Sequence, residues 1–452
     1  MKIHFEKLGV INRGDLNLNG LTLLCGPNNT GKTYAMYCLY ALLDEKFEVR
    51  FPFVQEIVKN LLESKVCQYD LNILLDDHFE DILNHVAQGL QKRLPSLFGV
   101  EPSEFKQTKL KLSVERDQIL KNAIHHHWQM RLRLGTQDSD WILDIEKPKQ
   151  SNQITLTLQD KGVPSRVLVE FISSNITRLI FSQTARSCLL LPSERAGLNL
   201  FFKELSSIRN RLLHHAQKDN INPMEVLKDI VQSRYAEPVS DYIEFLNNLT
   251  TIKKQKGKYR EQAQIVHRKI LNGKYDIDRY GEIFFLPYRS HSKKLPLHFT
   301  SSTVKTLFGL VFYLEHSAQS GDCLMIDEPE LNLHPDNQRN LARLLAQLVK
   351  NGIKVVVSTH STYLVRELNN LIMLHKPFSQ AEALRKRYGY EADDSLDPDL
   401  VSAYLFDQKS IKAMDIDAEG VIAETFDEVV NTLNQSSNEI YYSSQEEEQG
   451  AE

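Results

Sequence analysis

The chain has 452 residues, of which 42% are hydrophobic and 25% are charged, and its formal net charge is −5. This composition suits a protein with a sizeable buried core, and the length suits two or three domains or one domain with large insertions. It excludes a globally basic protein, so any binding to nucleic acid must come from local patches. No apolar run is long enough to span a bilayer and no signal peptide precedes the first predicted strand. We therefore expect a cytoplasmic protein that does not contact a membrane.

The first segment, about residues 2–43, predicts strands, a glycine-rich loop and a helix in that order. The loop is Gly26-Pro27-Asn28-Asn29-Thr30-Gly31-Lys32-Thr33, which fits the phosphate-binding pattern G-x-x-x-x-G-K-[ST]. The apolar run Leu21–Cys25 predicts a buried strand before the loop, and residues 34–43 predict a helix after it. The turn signal Asn19-Gly20 predicts a hairpin between residues 16–18 and that buried strand.

This context indicates a nucleotide site. Glycines let the loop curl so that its backbone N–H groups face the phosphates, and the helix N-terminus adds a favourable dipole. Lys32 would reach the β- and γ-phosphates of ATP, and the Thr33 hydroxyl would ligate Mg²⁺. The predicted ATP-binding residues of the loop are Gly26, Asn28, Asn29, Thr30, Gly31, Lys32 and Thr33.

The middle of the chain predicts mainly helices. Apolar residues recur at helical spacing from about residue 51 to residue 134, with residues 106–134 mostly helical. Two strands are predicted at residues 141–145 and 154–158, and the apolar run Leu189–Leu191 is ended by Pro192. Helical spacing returns over residues 198–215 and 224–269. The polar trio that follows Pro192, Ser193-Glu194-Arg195, either faces a nucleotide or forms a solvated turn, and the sequence favours neither.

The last third returns to strands. Residues 274–277 and 282–285 flank the segment Arg279-Tyr280-Gly281 and predict a hairpin. A helix is predicted after Ser301, and buried strands at Cys323–Ile326 and Val355–Val357 enclose a helix over about residues 336–350. Continuous apolar runs that alternate with helices predict an α/β fold with a mainly parallel central sheet.

Both buried strands of this region end in polar residues. Asp327 and Glu328 follow the first at its carboxyl end, where α/β folds bind ligands. Asp327 would hold Mg²⁺, and Glu328 would orient and polarise the water that attacks the γ-phosphate. His360 follows the second strand and would donate a hydrogen bond to the terminal phosphate. The candidate catalytic residues are Glu328 and His360, and the candidate metal ligands are Thr33 and Asp327.

With these motifs the chain resembles the ABC-type ATPases of the SMC, RecF and OLD group, above all the compact bacterial ATPases with a split head. The pieces that match are Gly26–Thr33 (Walker A), Ser301-Ser302-Thr303-Val304-Lys305 (signature), Cys323–Glu328 (Walker B), Pro329–Pro335 (D-loop region) and Ser358–Ser361 (switch histidine). The resemblance covers roughly half of the chain.

The resemblance implies an α/β fold, an ABC-type P-loop ATPase head with a mixed central sheet, and a large helical insertion. The predicted division of the chain is: head 1–50, helical insertion 51–135, head-associated strands and helix 136–200, second part of the insertion 201–272, head 273–442, and an acidic disordered tail 443–452.

The signature has a consequence for assembly. In the family it completes the ATP site of a partner subunit, so Ser301 and Ser302 imply a homodimer in which two heads enclose two nucleotides; a higher oligomer stays open. Thr303 departs from the family pattern, which usually has glycine there for close approach to the γ-phosphate. This departure favours slow hydrolysis or a mainly ATP-sensing role. Gln183 is a weak candidate for the Q-loop glutamine.

Members of this group often serve in bacterial antiphage systems of the Septu, PARIS, Gabija and retron-associated types. Only 92 residues (452 − 360) follow His360, so we expect any nuclease to be a separate polypeptide. The first hypothesis is an ATPase whose head dimerisation controls such an effector.

Two alternatives remain open. One is a RecF-like or SMC-like repair ATPase that binds DNA or RNA through basic stretches of the insertion, at residues 253–260 and 109–133. A solvated helix face explains these stretches at least as well. The other alternative is a non-catalytic, ATP-dependent scaffold, which Thr303 suggests.

Overall fold

The computed structural model describes residues 1–44, 46–133, 141–159, 162–181, 184–218, 235–289, 293–422 and 431–441, except for the side chains of residues 207–218. Its strands are β1 Lys2–Leu8, β2 Ile11–Asn17, β3 Leu21–Cys25, β4 Val66–Asp70, β5 Lys109–Ser113, β6 Trp128–Arg133, β7 Trp141–Lys147, β8 Gln153–Leu158, β9 Cys188–Leu191, β10 Gly273–Ile277, β11 Ile283–Pro287, β12 Leu295–Pro296, β13 Cys323–Asp327, β14 Lys354–Thr359, β15 Val401–Asp407, β16 Ser410–Met414, β17 Ile416–Asp417 and β18 Gly420–Val421.

The α-helices are α1 Lys32–Leu43, α2 Val54–Ser64, α3 Leu71–Phe98, α4 Arg116–His125, α5 Ser165–Phe181, α6 Arg195–Lys218, α7 Glu237–Asn247, α8 Leu249–Ile252, α9 Arg260–Val266, α10 Ser302–His316, α11 Pro335–Lys350, α12 Thr362–Met373 and α13 Ala381–Tyr388. Among the described residues, no helix combines the length and the apolar character that crossing a bilayer requires.

A mixed sheet of nine strands forms the centre of the fold, in the order β5-β1-β2-β16-β15-β3-β14-β13-β9. The five strands from β15 to β9 run parallel to one another. Antiparallel pairs occur in the other half, where β1 pairs with β2 and β5, and β15 pairs with β16. The predicted α/β head with a mixed central sheet is confirmed.

Two hydrophobic cores lie against this sheet. One includes α1, α2, α3 and α5, and the other includes α10, α11 and α12. Along β3 the side chains alternate between them, since Leu24 belongs to the first core and Leu23 and Cys25 to the second. Helices on both faces explain why the parallel strands are apolar at nearly every position.

The predicted hairpin around Asn19-Gly20 is wrong. The strands β2 and β3 are not neighbours, because β16 and β15 lie between them. Every residue of β3 is buried, as in a central strand, and its two edges are taken by β14 and β15 in parallel register. The turn therefore redirects the chain across the sheet. The hairpin predicted further on does form, since β10 pairs antiparallel with β11.

The prediction that residues 106–134 are mostly helical is also wrong. This segment holds β5 and β6 on either side of α4. The strand β5 reads Lys-Leu-Lys-Leu-Ser, an alternation with the period of a strand, and it extends the central sheet by pairing with β1. The strand β6 joins a separate antiparallel sheet in the order β4-β8-β7-β6. The segment predicted as a helical insertion thus contains strands as well as helices.

Candidate functional site

Four parallel strands bring the predicted site residues to one edge of the sheet. Asp327 at the end of β13 is in register with Ser358 on β14, and Thr359 is in register with Cys25 on β3. The strand β9 ends on the other side of β13, with Leu191 beside Ile326. The segments that follow these strands therefore lie next to one another, at the carboxyl edge where α/β sheets bind ligands.

The glycine-rich loop between β3 and α1 needs glycine at two positions. Gly26 has φ 137°, and a Cβ there would lie 2.4 Å from the carbonyl oxygen of Phe406. Gly31 has φ 100°, and a Cβ there would lie 2.6 Å from Cγ1 of Ile11. A side chain at either position would meet both backbone strain and a close contact. The loop is therefore packed tightly between β15 and β2.

Lys32 folds back into the curl of this loop. Its Nζ donates hydrogen bonds to the carbonyl oxygens of Gly26 at 2.9 Å and Pro27 at 2.6 Å. Burial lowers the pKa of Lys32, while the nearby carboxylates of Glu328 and Asp327 act in the opposite direction. The residue is only 6% exposed, so a buried cation lies at the centre of the loop.

Thr33 and Asp327 form a set of oxygen atoms that suits Mg²⁺. The Thr33 hydroxyl donates to Oδ2 of Asp327 at 3.0 Å, and the Ser358 hydroxyl donates to Oδ1. Burial raises the pKa of Asp327, and the two hydrogen bonds oppose that rise. Two ligands of an octahedral Mg²⁺ lie about 3 Å apart, so the observed spacing fits the ion.

Glu328 occupies an unusual backbone position directly after β13. Its φ is 50°, in the left-handed region, which a residue with a side chain adopts only when its surroundings hold it there. Its backbone N–H donates to the Oγ and the carbonyl oxygen of Ser358, at 3.1 and 3.2 Å. The side chain is 27% exposed and therefore accessible at this edge.

Arg195 binds the backbone of the turn at Asp327 and Glu328. The guanidinium donates to the carbonyl oxygens of Asp327 at 2.6 Å and Glu328 at 2.7 Å, and also to that of Pro192 at 3.1 Å. Arg195 is only 2% exposed. The sequence left the segment after Pro192 undecided between a site and a solvated turn. In the structure Arg195 is buried at the site, and its only sequence signal is a position after a buried strand.

Glu330 binds the backbone at His360 and so positions that residue. The sequence analysis gave Glu330 no role of its own. Oε1 of Glu330 accepts the Thr359 hydroxyl at 2.8 Å and the backbone N–H of His360 at 2.9 Å. Nδ1 of His360 lies 3.5 Å from the same oxygen and 4.0 Å from Oε1 of Glu328. The sequence signal that could have indicated Glu330 is its position as the last acid of the run Asp-Glu-Pro-Glu. The predicted Glu328 and His360 are thus neighbours.

The signature serines are exposed at the start of α10. Ser301 caps α10 by accepting the backbone N–H of Val304 at 3.4 Å, and both Ser301 and Ser302 are exposed. In the part of the chain that the structure describes, neither forms a hydrogen bond or ion pair with residues 26–33. Gln183 and residues 443–452 lie outside the described residues, so those predictions stay predictions.

Comparison with known proteins identifies a family whose model matches this chain. Residues 2–365 match the family model described as "AAA ATPase domain". No curated protein matches the chain significantly in sequence.

Solved structures of SMC head domains are among those similar to this chain. The Smc head domain of Pyrococcus furiosus, with an extended coiled coil and bound to the C-terminal domain of ScpA, is 10% identical, with 96% of this chain and 98% of that chain covered and a TM-score of 0.32. The SMC head domain from Thermotoga maritima is also 10% identical, with 92% and 98% covered and a TM-score of 0.29.

Proposed function

The chain belongs to the AAA ATPase domain family, and from that premise we propose that it binds and hydrolyses ATP with Mg²⁺ at the carboxyl edge of β3, β13 and β14. The observation that carries the proposal is the hydrogen bond from Thr33 to Asp327, beside the buried Lys32. It joins the glycine-rich loop to the acid at the end of another strand. Few arrangements other than a nucleotide site need a cation, a hydroxyl and a carboxylate together there.

Each group has a role in this proposal. The backbone N–H groups of the loop bind the phosphates, and Lys32 neutralises charge on the β- and γ-phosphates. Thr33 and Asp327 hold Mg²⁺, which when bound offsets the negative charge of the same phosphates. Glu328 orients the water that attacks the γ-phosphate, and His360 donates a hydrogen bond to that phosphate. The attack breaks the bond between the β- and γ-phosphates and gives ADP and phosphate. The loop residues assigned to ATP are Gly26, Asn28, Asn29, Thr30, Gly31, Lys32 and Thr33.

The proposal includes head dimerisation. Ser301 and Ser302 are exposed at the N-terminus of α10, where a helix dipole favours a phosphate. Since they form no hydrogen bond with residues 26–33 in the described part of the chain, we assign them to the nucleotide of a second copy. ATP would then stabilise the dimer because it contacts both heads. We further propose that this dimer controls a separate effector, such as a nuclease, in antiphage defence.

Replacing Lys32 with alanine tests ATP binding. The variant loses a charged hydrogen-bond donor to phosphate worth about 2 kcal/mol, so its affinity for ATP should fall by at least about 30-fold. A titration with a fluorescent ATP analogue measures this, with Lys59→Ala on the exposed side of α2 as the control. In cells the same variant should lose protection against phage. Unchanged ATP affinity, or intact protection, would contradict the proposal.

A second candidate function is a repair ATPase that binds nucleic acid directly. Lys254, Lys256 and Lys258 are exposed between α8 and α9, and their ammonium groups form no ion pair with the described residues. Lys253, in contrast, pairs with Asp276 at 3.1 Å. A row of exposed cations suits contact with phosphates.

Reversing the charge of Lys254, Lys256 and Lys258 with glutamate tests this second function. If this function holds, duplex DNA stimulates ATP hydrolysis without any partner protein. In the triple variant, the slope of log DNA affinity against log salt concentration should decrease by an amount that corresponds to roughly three phosphate contacts. Measurements of DNA affinity over a range of salt concentrations decide the matter. Equal affinity and equal salt dependence in the native protein and the variant would remove this candidate.

A further inference from the structure

Thr303 connects the N-terminus of α10 to the loop that follows Glu328. Its Oγ1 donates a hydrogen bond to the backbone carbonyl oxygen of Asn332 at 2.9 Å. One turn further along α10, Oγ1 of Thr306 accepts a hydrogen bond from Nδ2 of Asn332 at 3.1 Å. Residues three apart share one face of a helix, so the two threonines hold a single loop residue at two points.

The path from Asn332 back to Glu328 is short and internally bonded. The N–H of Leu331 donates to the carbonyl oxygen of Glu328 at 3.1 Å, and the N–H of Leu333 donates to that of Glu330 at 3.0 Å. Asn332 itself has φ 61°, a left-handed conformation that asparagine adopts more readily than most residues. Because these hydrogen-bonded turns follow one another directly, a displacement of Asn332 also displaces Glu328.

A second polar connection joins α10 to Glu328 through α6. Nδ2 of Asn199 donates to the carbonyl oxygen of Lys305 at 2.7 Å. Asn199 lies one turn after Arg195 on α6, and Arg195 binds the carbonyl oxygen of Glu328. Both residues are 2% exposed, so water does not compete for these bonds. The start of α10 is thus attached to the turn at Glu328 from two sides.

We propose that Thr303 is a positioning residue that couples contact at Ser301 and Ser302 to the position of Glu328. This rests on the proposed function, in which those serines meet the nucleotide of a second head. Their engagement fixes the first turn of α10, and the bond from Thr303 transfers that constraint to Asn332 and to the loop beginning at Glu328. Hydrolysis therefore follows engagement of the heads, and Thr303 itself does not touch the nucleotide.

Two substitutions at Thr303 separate its hydroxyl from its shape. Thr303→Val keeps the branched side chain and removes the donor, whereas Thr303→Ser keeps the donor. With the valine variant we expect native ATP affinity, a native ATP-dependent dimer and an unchanged KM, but a kcat lower by about tenfold. The serine variant should stay within about twofold of the native kcat.

Hydrogen exchange supplies a readout that does not depend on the rate of hydrolysis. Adding ATP and Mg²⁺ to the native protein should protect amides of both residues 302–306 and residues 328–334. In Thr303→Val only the first segment should gain protection, because the link to Asn332 is gone. Without nucleotide both variants should unfold at the native temperature, since Thr303 is only half-buried.

Three results would overturn the coupling. The valine variant could hydrolyse ATP at the native rate, its residues 328–334 could gain native protection, or both variants could lose the dimer alike. The last result would mean that this position meets the partner's nucleotide directly. Failure of the proposed function looks different, because the native protein itself would then bind no ATP or stay monomeric with ATP.

Discussion

Replacing Glu328 with glutamine is expected to stop ATP hydrolysis while leaving ATP binding in place. The amide has nearly the shape of the carboxylate and leaves the backbone bonds to Ser358 intact. The neutral amide cannot orient and polarise the attacking water as the carboxylate does, and loss of such a group typically lowers a rate by about 10²–10⁴-fold. Release of phosphate measures hydrolysis, and titration with an ATP analogue measures binding.

The control for Glu328 is Glu63→Gln, which removes an exposed carboxylate on α2. The control should hydrolyse ATP at close to the native rate. With hydrolysis blocked, the Glu328 variant should also accumulate as an ATP-bound dimer, which light scattering detects. If native protein and Glu328→Gln release phosphate equally slowly, the non-catalytic scaffold is the better description.

Arg195→Met is expected to impair both stability and hydrolysis. The guanidinium donates to the carbonyl oxygens of Pro192, Asp327 and Glu328, and methionine would remove all three bonds. The carbonyl oxygens of Pro192 and Glu328 would then keep one backbone N–H donor each, from residue 195 and from Leu331. A hydrogen bond to a charged group is worth about 1.5–3 kcal/mol, and two of the three acceptors keep a backbone donor, so we expect a loss of about 3 kcal/mol in the free energy of unfolding. The turn at Glu328 would also lose its support, so hydrolysis should fall at least about 100-fold. Thermal unfolding and phosphate release measure the two effects.

Two further arginine variants sharpen this result. Arg195→Lys keeps a charge but lacks the planar fork that reaches several acceptors at once, so it should be intermediate in both measurements. Arg268→Met removes an exposed arginine outside the site and should behave like the native protein. If Arg195→Met hydrolyses ATP normally at a temperature where it is folded, Arg195 does not position Glu328.

Much of the candidate site could be predicted because its signals are local. The glycines of the loop, the apolar runs of β3, β13 and β14, and the polar residues at the ends of those strands are all contiguous in the sequence. Parallel strands place their carboxyl ends at one edge, so Lys32, Asp327 and His360 were expected to meet. The structure does place Lys32 near Asp327, and His360 near Glu328.

The contacts that support the site could not be predicted from local sequence signals. Arg195 is 132 residues from Asp327, and Glu330 is 30 residues from His360. In each pair a polar side chain binds a backbone group of another element, and no residue pattern marks which backbone group it will find. Thr303 is another example, because its partner is a carbonyl oxygen that every residue possesses.

The sequence by itself determined that β3, β13 and β14 are buried strands, where the glycine loop must curl, and which polar residues end those strands. Only the tertiary structure decided the order of the strands, with β15 and β16 inserted between β2 and β3 from the far end of the chain. The physical reason is that an apolar pattern shows which face of a strand is buried but not which neighbour fills its edge. That neighbour is chosen by competition among all strands for hydrogen bonds and packing.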